Sequence, residues 1–420
     1  MRRPRIPSRA SVTRYFYGWN VVAATFVVAL FAFGLGFYGV SVYLAALQRV
    51  HGWSASSVSA PVTVYYVAGA MLSAWIGDAY QRFGPRVVIT VGSLAMATGV
   101  TALGVVTQPW HLYPVFLVMA IGWGAMSGAA LNLLVAPWFE RRRGLAVSIA
   151  FNGATLGGVI IAPILIPLID ALGFTRAVAT AAVVSLVALL SLAAFVMRRG
   201  PDALGLGPDG DAPVPARHAA PVERGRRSDE VRTWRFWSIS APFALGLTAQ
   251  VGVLTHQVSL LAPVLPSSGA ARAVSITTAA ALIGRLITGV VVDRLNRRLV
   301  ASVTLVVQLL GVGILALSID RPSASGLMTY AGCALFGLGV GNMTTLPGLI
   351  LAAEWPRERF SALIGLVVGI NQFTFAFGPS LVGIVRDASG HYAPALAVCM
   401  ALELLAAVMV LQAPRARRGP

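Results

Sequence analysis

Two stretches of this 420-residue chain share one pattern, Gly77-Asp-Ala-Tyr-Gln-Arg-Phe-Gly-Pro-Arg86 and Gly289-Val-Val-Val-Asp-Arg-Leu-Asn-Arg-Arg298. A glycine and two arginines recur in them at an offset of 212 residues. A second set recurs at an offset of 217 residues: Trp138, Asp170 and Gly173 return as Trp355, Asp387 and Gly390. Two such offsets indicate that the chain consists of two homologous halves.

The amino-acid composition indicates that the two halves lie in a lipid bilayer rather than in water. The chain is 57% hydrophobic and only 11% charged, whereas soluble domains carry roughly 25% charged residues. About twelve apolar runs of roughly 20 residues, the length that crosses a bilayer, follow one another along the chain. The sequence therefore predicts an all-α membrane protein of twelve transmembrane helices in two six-helix bundles. We expect the bundles at residues 1–197 and 236–420, joined by a partly disordered linker at 198–235.

The arginines predict the orientation. The chain has a net charge of +17 and no lysine, and its arginines cluster at the ends of apolar runs, which argues against a nucleic-acid partner. If both termini and the linker face the cytoplasm, 26 of the 32 arginines lie there and five lie on the opposite side. We therefore predict a multi-pass protein of the cell inner (plasma) membrane. The apolar run after the arginine-rich amino end is too long for a signal peptide, so we interpret it as a retained first helix.

Signs of catalysis are missing from the sequence. It has no phosphate-binding Walker loop, no zinc-type cluster of His and Cys, and no nucleophile elbow. Both cysteines, Cys333 and Cys399, stand inside apolar runs. We expect a protein that is not an enzyme, has no cofactor or metal, and functions as a monomer.

The repeated stretches are similar to the signature of the major facilitator superfamily, which has a glycine, an acid and basic residues after the second helix. The matching residues are Gly77, Asp78, Arg82, Gly84 and Arg86 in the first half, and Gly289, Asp293, Arg294 and Arg298 in the second. Gln81 stands where the family has its acid, and Asn296 where it has a glycine. The resemblance implies the major facilitator fold, and we expect acid–base pairs of these residues to gate the seam between the halves.

Within this superfamily, the chain resembles the monocarboxylate and oxalate–formate antiporter branch. The similar segments are Tyr17-Gly-Trp-Asn-Val-Val22, Trp138-Phe-Glu-Arg-Arg-Arg-Gly-Leu-Ala146, His256-Gln-Val258 and Gly284-Arg285. The resemblance implies transport of a small organic anion by alternating access. It would also imply a second cation in the eleventh helix or a lysine in the first, and the sequence has neither.

Arg285 is the strongest site candidate. It precedes Asp293 by eight residues, which places it roughly 12 Å inside the membrane on a helix. A charge there costs on the order of 2.5–3.5 kcal/mol to insert, so it must face a cavity or a partner. A guanidinium matches a carboxylate with two parallel hydrogen bonds. One central cation suits one carboxylate, so we predict a monocarboxylate, although an internal ion pair remains an alternative.

Other polar residues within the apolar runs complete the predicted site. Tyr38, Asn152 and Asn371 need internal partners in lipid and are candidates for substrate binding. His256 is a candidate for both substrate binding and proton coupling because its pKa is ordinarily near 6.5. Glu403 is a second candidate for carrying a proton. Two other functions stay open: efflux of a larger metabolite or drug, and a non-transporting membrane sensor of an anion.

Overall fold

The computed structural model describes residues 16–198, 200–211, 231–292, 294–319 and 326–412. Six helices form the first half. They are α1 (Gly18–His51), α2 (55–83), α3 (85–102), α4 (Pro109–Val135), α5 (Arg143–Leu172) and α6 (Phe174–Phe195).

Six more helices form the second half. They are α7 (Trp234–Leu261), α8 (Ser267–Val291), α9 (Arg297–Ile319), α10 (Gly326–Val340 and Leu346–Glu354), α11 (Arg357–Phe375 and Gly378–Ser389) and α12 (Ala393–Leu411).

Ten segments of the described chain are long and apolar enough to cross a bilayer. The number of spanning helices rises to twelve for two reasons. Ala55–Val105 is divided into α2 and α3 by a turn at Gly84, and α10 is interrupted after Val340, so neither of its pieces is long enough alone. The predicted all-α fold of twelve spanning helices is therefore confirmed, while the limits 1–197, 198–235 and 236–420 stay a prediction.

Two sides of the bundle are distinguished here by the linker. Successive helices run in opposite directions, so the odd-numbered helices begin on the side where α6 ends and α7 begins, which we call the linker side. The opposite side, where α1 ends and α2 begins, is the far side.

The connection between α2 and α3 is a turn of one residue rather than the loop that the sequence pattern suggests. Gly84 has φ 75° and ψ 163°, and Pro85 follows it at the first position of α3. This backbone conformation is open almost only to glycine, and proline is favoured at the start of a helix. The Gly-Pro pair is therefore the local reason that the chain turns here.

Glycines also bring helices of the first half into backbone contact. A Cβ atom on Gly153 would overlap the carbonyl group of Phe26, and one on Gly157 would overlap the carbonyl oxygen of Leu30. α5 widens into a π-helical turn at Gly157–Ile161, facing a similar turn of α1 at Gly34–Tyr38. The two widened turns lie together at the middle of the bundle, and Tyr38 belongs to one of them.

The hydrophobic cores show where the halves meet. On the far side, one cluster includes Leu47 of α1 together with Val258 of α7 and Ala270 of α8, so it crosses between the halves. On the linker side, each half has a cluster of its own, one around Trp138 and one around Trp355. The halves are therefore packed together on the far side and have separate cores on the linker side.

Candidate functional site

Close packing of α8 against α10 fixes the backbone around Arg285. A Cβ atom on Gly284 would overlap the carbonyl oxygen of Leu338, and one on Gly341 would overlap that of Ala281. Small residues at such positions allow two helices in a membrane to touch. The contact places Arg285 directly beside the interruption of α10.

Among the described residues, Arg285 has one hydrogen-bond partner and no acid beside it. Its Nε atom donates to the carbonyl oxygen of Gly341 at 3.1 Å. Among the described residues no carboxylate lies within ion-pair distance of the guanidinium, which is only partly exposed. The two Nη groups have no hydrogen-bond partner among the side chains and backbone atoms that the structure describes. The ion-pair partner on another helix that the alternative interpretation requires is therefore not found among the described residues.

Tyr38 of α1 is a residue of the first half that contacts α8, the helix of Arg285. A Cβ atom added to Gly158 of α5 would lie 2.7–2.8 Å from two ring carbons of Tyr38 and would also touch the methyl group of Thr278 of α8. The Tyr38 ring therefore lies beside Gly158 and Thr278. Thr278 precedes Arg285 by seven residues, about 10 Å along α8. A residue of α1 thus meets α8 at the seam two turns from Arg285, as expected for a central site in a transporter made of two repeats.

An aromatic cluster borders Tyr38. Phe37 contacts Tyr38 with ring centroids 5.1 Å apart and is stacked on Trp123 of α4 at 6.0 Å. Tyr66 of α2 meets Phe375 of α11 edge to face at 5.5 Å, so this contact also crosses between the halves. We did not identify these four neighbours from the sequence, where the only signal was aromatic residues inside apolar runs.

The two asparagines of the predicted site have different surroundings. Asn371 is buried, and its Oδ1 atom has no partner among the described residues. Asn152 is exposed on α5. Seven residues further toward the far side, the Val159 carbonyl oxygen accepts a hydrogen bond from Ser275 of α8, which gives a common reference point for depth. At about 1.5 Å per residue, Asn152 lies roughly 10 Å and Arg285 roughly 15 Å from that contact, both toward the linker side.

His256 lies in another layer of the membrane. It is 1% exposed, its Nδ1 atom is 3.2 Å from the Tyr392 hydroxyl, and its Nε2 atom is 3.0 Å from the Pro379 carbonyl oxygen. It is five residues from the far-side end of α7, whereas Arg285 is eighteen residues from the far-side end of α8. The difference corresponds to about 20 Å in depth. The structure therefore does not bring His256 together with Arg285, and its role in proton coupling stays a prediction.

Glu403 is fully buried in the second half. It lies on the face of α12 that packs against α7 and α9, and both carboxylate oxygens lack a partner among the described residues. A buried carboxyl group without a partner is costly to ionise. α12 packs on α7, α9 and α11. The role of Glu403 in proton coupling also stays a prediction.

The signature residues of the first half are exposed on the linker side. Asp78, Arg82 and Arg86 make no ion pair within the described ranges, and Arg82 lies over the ring of Phe83 at 5.3 Å. Gly77 has open space around it, as does Gly84. Gly289 of the second half is equally open, and Arg294 is exposed. Asp293 falls outside the described residues.

Arg298 differs from the expectation of a pair across the seam. Its Nε and Nη2 atoms donate to the two carboxylate oxygens of Glu354 at 2.6 and 2.9 Å. The remaining donors reach Ser238 of α7 and the Val410 carbonyl oxygen of α12. All of these partners belong to the second half, so this arginine joins four helices of one bundle. Glu354 is 56 residues away in sequence, and we did not identify it as the partner.

On the far side, the end of α11 contacts the beginning of α2. The Asp387 carboxylate accepts hydrogen bonds from the backbone N–H groups of Ala55 at 3.1 Å and Ser56 at 2.7 Å. Two turns further into the membrane, the hydroxyl groups of Thr63 and Ser380 are 2.7 Å apart. These contacts link the halves where their cores are continuous.

Comparison with known proteins identifies the family that has this architecture. The family model of the Major Facilitator Superfamily matches residues 26–270 and 261–420. Monocarboxylate transporter 11 of Mus musculus is 27% identical over 95% of this chain and 88% of its own length. The agnestins efflux protein of Paecilomyces divaricatus is also 27% identical, over 79% of this chain and 72% of its own. The crystal structure of the nucleoside transporter NupG superposes with a TM-score of 0.72 at 14% identity, covering 93% of this chain and 97% of that one.

Proposed function

This chain belongs to the major facilitator superfamily, and from that premise we propose that it transports a small organic anion, most plainly a monocarboxylate, by alternating access between its two halves. One observation carries the proposal. The two Nη groups of Arg285 have no hydrogen-bond partner among the described residues, and Tyr38 of the other half lies beside Thr278, two turns away on the same helix. A planar guanidinium with free donors is suited to a carboxylate, which accepts two parallel hydrogen bonds.

The surroundings of Arg285 support one carboxylate rather than two. No other arginine lies among the described side chains of α1, α5, α8 or α11 at comparable depth, and the chain contains no lysine. Tyr38 can donate a hydrogen bond to the same anion. Phe37 and Trp123 provide an apolar wall for its carbon skeleton, as is usual where few polar groups set the orientation of a ligand.

The orientation of the protein is part of the proposal. The linker side and both termini face the cytoplasm, in line with the arginine distribution. Because the far side is packed and the linker side has separate cores, the described conformation is then open to the cytoplasm. Reporter fusions at Gly210 and Pro420 test this orientation, and a signal from outside the cytoplasm at either position contradicts it.

The test of the substrate uses purified protein in proteoliposomes. Labelled carboxylates and their neutral amide analogues are compared for counterflow, which needs no proton gradient. Arg285→Ala should bind the transported carboxylate at least about tenfold more weakly, because a hydrogen bond to a charged group contributes about 1.5–3 kcal/mol. Arg285→Lys should restore little, because an ammonium keeps the charge and loses the planar fork.

Arg272→Ala is the matched control. Arg272 is an exposed arginine of the same helix near its far-side end, over the ring of Tyr330 at 5.9 Å. Its loss should leave carboxylate affinity unchanged. Full affinity in Arg285→Ala, together with a lower melting temperature, would instead assign Arg285 to the fold and end the carboxylate proposal.

Efflux of a larger metabolite is the second candidate function. Its support is the similarity to the agnestins efflux protein. Under this alternative, bulky organic compounds should compete with transport better than small carboxylates do, with or without a carboxyl group. His256 and Glu403 remain candidates for proton coupling in either case, and the pH dependence of uptake in His256→Gln and Glu403→Gln distinguishes them.

A further inference from the structure

The amino terminus of α2 is bound by a carboxylate from the other half. The first N–H groups of a helix have no partner within it and carry partial positive charge, so a carboxylate there is favourable. Ser54 supplies one such partner, because its side chain accepts from the N–H of Ser57. Asp387 of α11 supplies two more for Ala55 and Ser56, which no residue of the first half provides.

The same seam is closely packed below this contact. A Cβ atom on Gly383 of α11 would overlap the hydroxyl oxygen of Ser59 and lie 3.2 Å from the backbone of Ala55. Ser59 is fully buried, and its hydroxyl group has no partner among the described residues. α2 and α11 can therefore not separate on the far side without exposing Ser59 and breaking the two hydrogen bonds to Asp387.

At the repeat-related seam between α5 and α8, no carboxylate of the described chain caps a helix of the other half. Asp170 is the counterpart of Asp387, yet it pairs at 3.1 Å with Arg49 of its own half, and both side chains are largely exposed. Pro266 stands where the first half has Ser54, and the α8 terminus has no side-chain cap. A cavity of about 790 Å³ lies on the far side between the halves, lined by Asp170 and Ser267 on this seam and also by Arg386 and Tyr392.

We propose that Asp387 holds the far side closed by capping α2 across the seam, and that release of this cap is the step that opens the far side. Arg386 also pairs with Asp387, at 2.9 Å, but it belongs to the same helix and moves with it. Of the bonds that Asp387 makes among the described residues, those to Ala55 and Ser56 cross the seam and must break when the halves separate. Asp170, the repeat-related counterpart of Asp387, is predicted to have little effect on opening of the far side.

The experiment measures opening directly and needs no substrate, so it is independent of the proposed function. Ser59→Cys introduces a thiol in place of a hydroxyl that has no partner among the described residues, and the native Cys333 and Cys399 are buried. A water-soluble maleimide is applied to the purified full-length protein, and the rate of labelling reports exposure of the seam. Asp387→Ala should raise this rate at least about tenfold, because two hydrogen bonds to a charged group are lost.

Asp170→Ala in the same Ser59→Cys background is the matched control and should change the rate less than about twofold, since exposed ion pairs contribute little. The labelling rate of Asp387→Asn should lie between those of Asp387→Ala and Asp170→Ala, because an amide oxygen still accepts one hydrogen bond without the charge. Melting temperatures of all variants identify any that unfold. An unchanged rate in folded Asp387→Ala, or an equal increase in Asp170→Ala, would overturn the proposal.

Discussion

The connection between α4 and α5 and the connection between α10 and α11 occupy equivalent places in the two halves, yet different contacts hold them. We call them the Trp138 corner and the Trp355 corner after the tryptophan that each contains. At the Trp355 corner, Glu354 forms a bidentate pair with the buried Arg298. The equivalent positions of the first half are Pro137 and Arg86, and both are exposed.

The Trp138 corner is held by the linker instead. Asp209 accepts hydrogen bonds from the backbone N–H groups of Glu140 and Arg141, at 3.0 and 2.8 Å. The Asp209 N–H donates to the Trp138 carbonyl oxygen at 2.8 Å. The ring of Phe16, near the amino end, packs edge to face against Phe139 at 5.3 Å.

This difference shows how a repeat can keep its shape while its interactions change. The Trp355 corner depends on charges within its own bundle. The Trp138 corner depends on segments that are outside the repeat. The two corners should therefore respond differently to the same kind of substitution.

The largest effect is expected at the Trp355 corner. Arg298→Ala removes donors to Glu354, Ser238 and Val410 and leaves a partly buried carboxylate without its partner. Removing one member of such a pair destabilises a protein by about 3 kcal/mol or more. Thermal unfolding of the purified protein in detergent should show a marked fall in melting temperature. Arg294→Ala, an exposed arginine of the same signature, is the control, and an equal fall in both would contradict the comparison.

An intermediate and local effect is expected at the Trp138 corner. Asp209→Ala removes two hydrogen bonds to backbone N–H groups, a loss of about 1 kcal/mol by analogy with helix caps. The substitution should speed hydrogen exchange at Glu140 and Arg141 and leave the melting temperature of the bundle nearly unchanged.

The pH dependence of this contact follows from Asp209. Burial opposes its ionisation, but hydrogen bonds from the backbone N–H groups of Arg141, Glu140 and Arg142 outweigh burial and hold the pKa below its ordinary value. The contact is therefore fully present at neutral pH and is lost as the pH falls through this lowered pKa. Protection of the Glu140 N–H, which is its exchange rate relative to the intrinsic rate at each pH, should become insensitive to acid in Asp209→Ala. A pH response of this protection retained in that variant would assign the effect to another group.

The smallest effect is expected for Arg86. Arg86→Ala removes an exposed arginine that has no ion pair within the described ranges, so the free energy of unfolding should change by less than about 0.5 kcal/mol. Melting curves recorded beside those of Arg298→Ala give the comparison directly. A loss approaching that of Arg298→Ala would show that the two corners are stabilised alike.

Features that depend on neighbouring residues could be predicted from the sequence. The apolar runs predicted the twelve spanning helices, because such a run depends only on residues that are close in the chain. Partners that are far apart in the chain could not be predicted, because the sequence does not specify which faces of two helices meet. Asp387 contacts residues more than 300 positions away, and the acid that binds Arg298 is on α10. The sequence also gave no indication that residues 200–211 pack against Trp138.

The single-residue turn at Gly84 has a mechanical consequence for the first half. A connection of many residues absorbs a change of angle over many dihedrals, but here the change falls on the φ and ψ of one glycine and its immediate neighbours. α2 carries the seam with α11 at one end and this turn at the other. A tilt of α2 at the far side is therefore transmitted to α3 with little slack, so the two helices should behave as one lever, and lengthening the turn by inserted glycines should uncouple them.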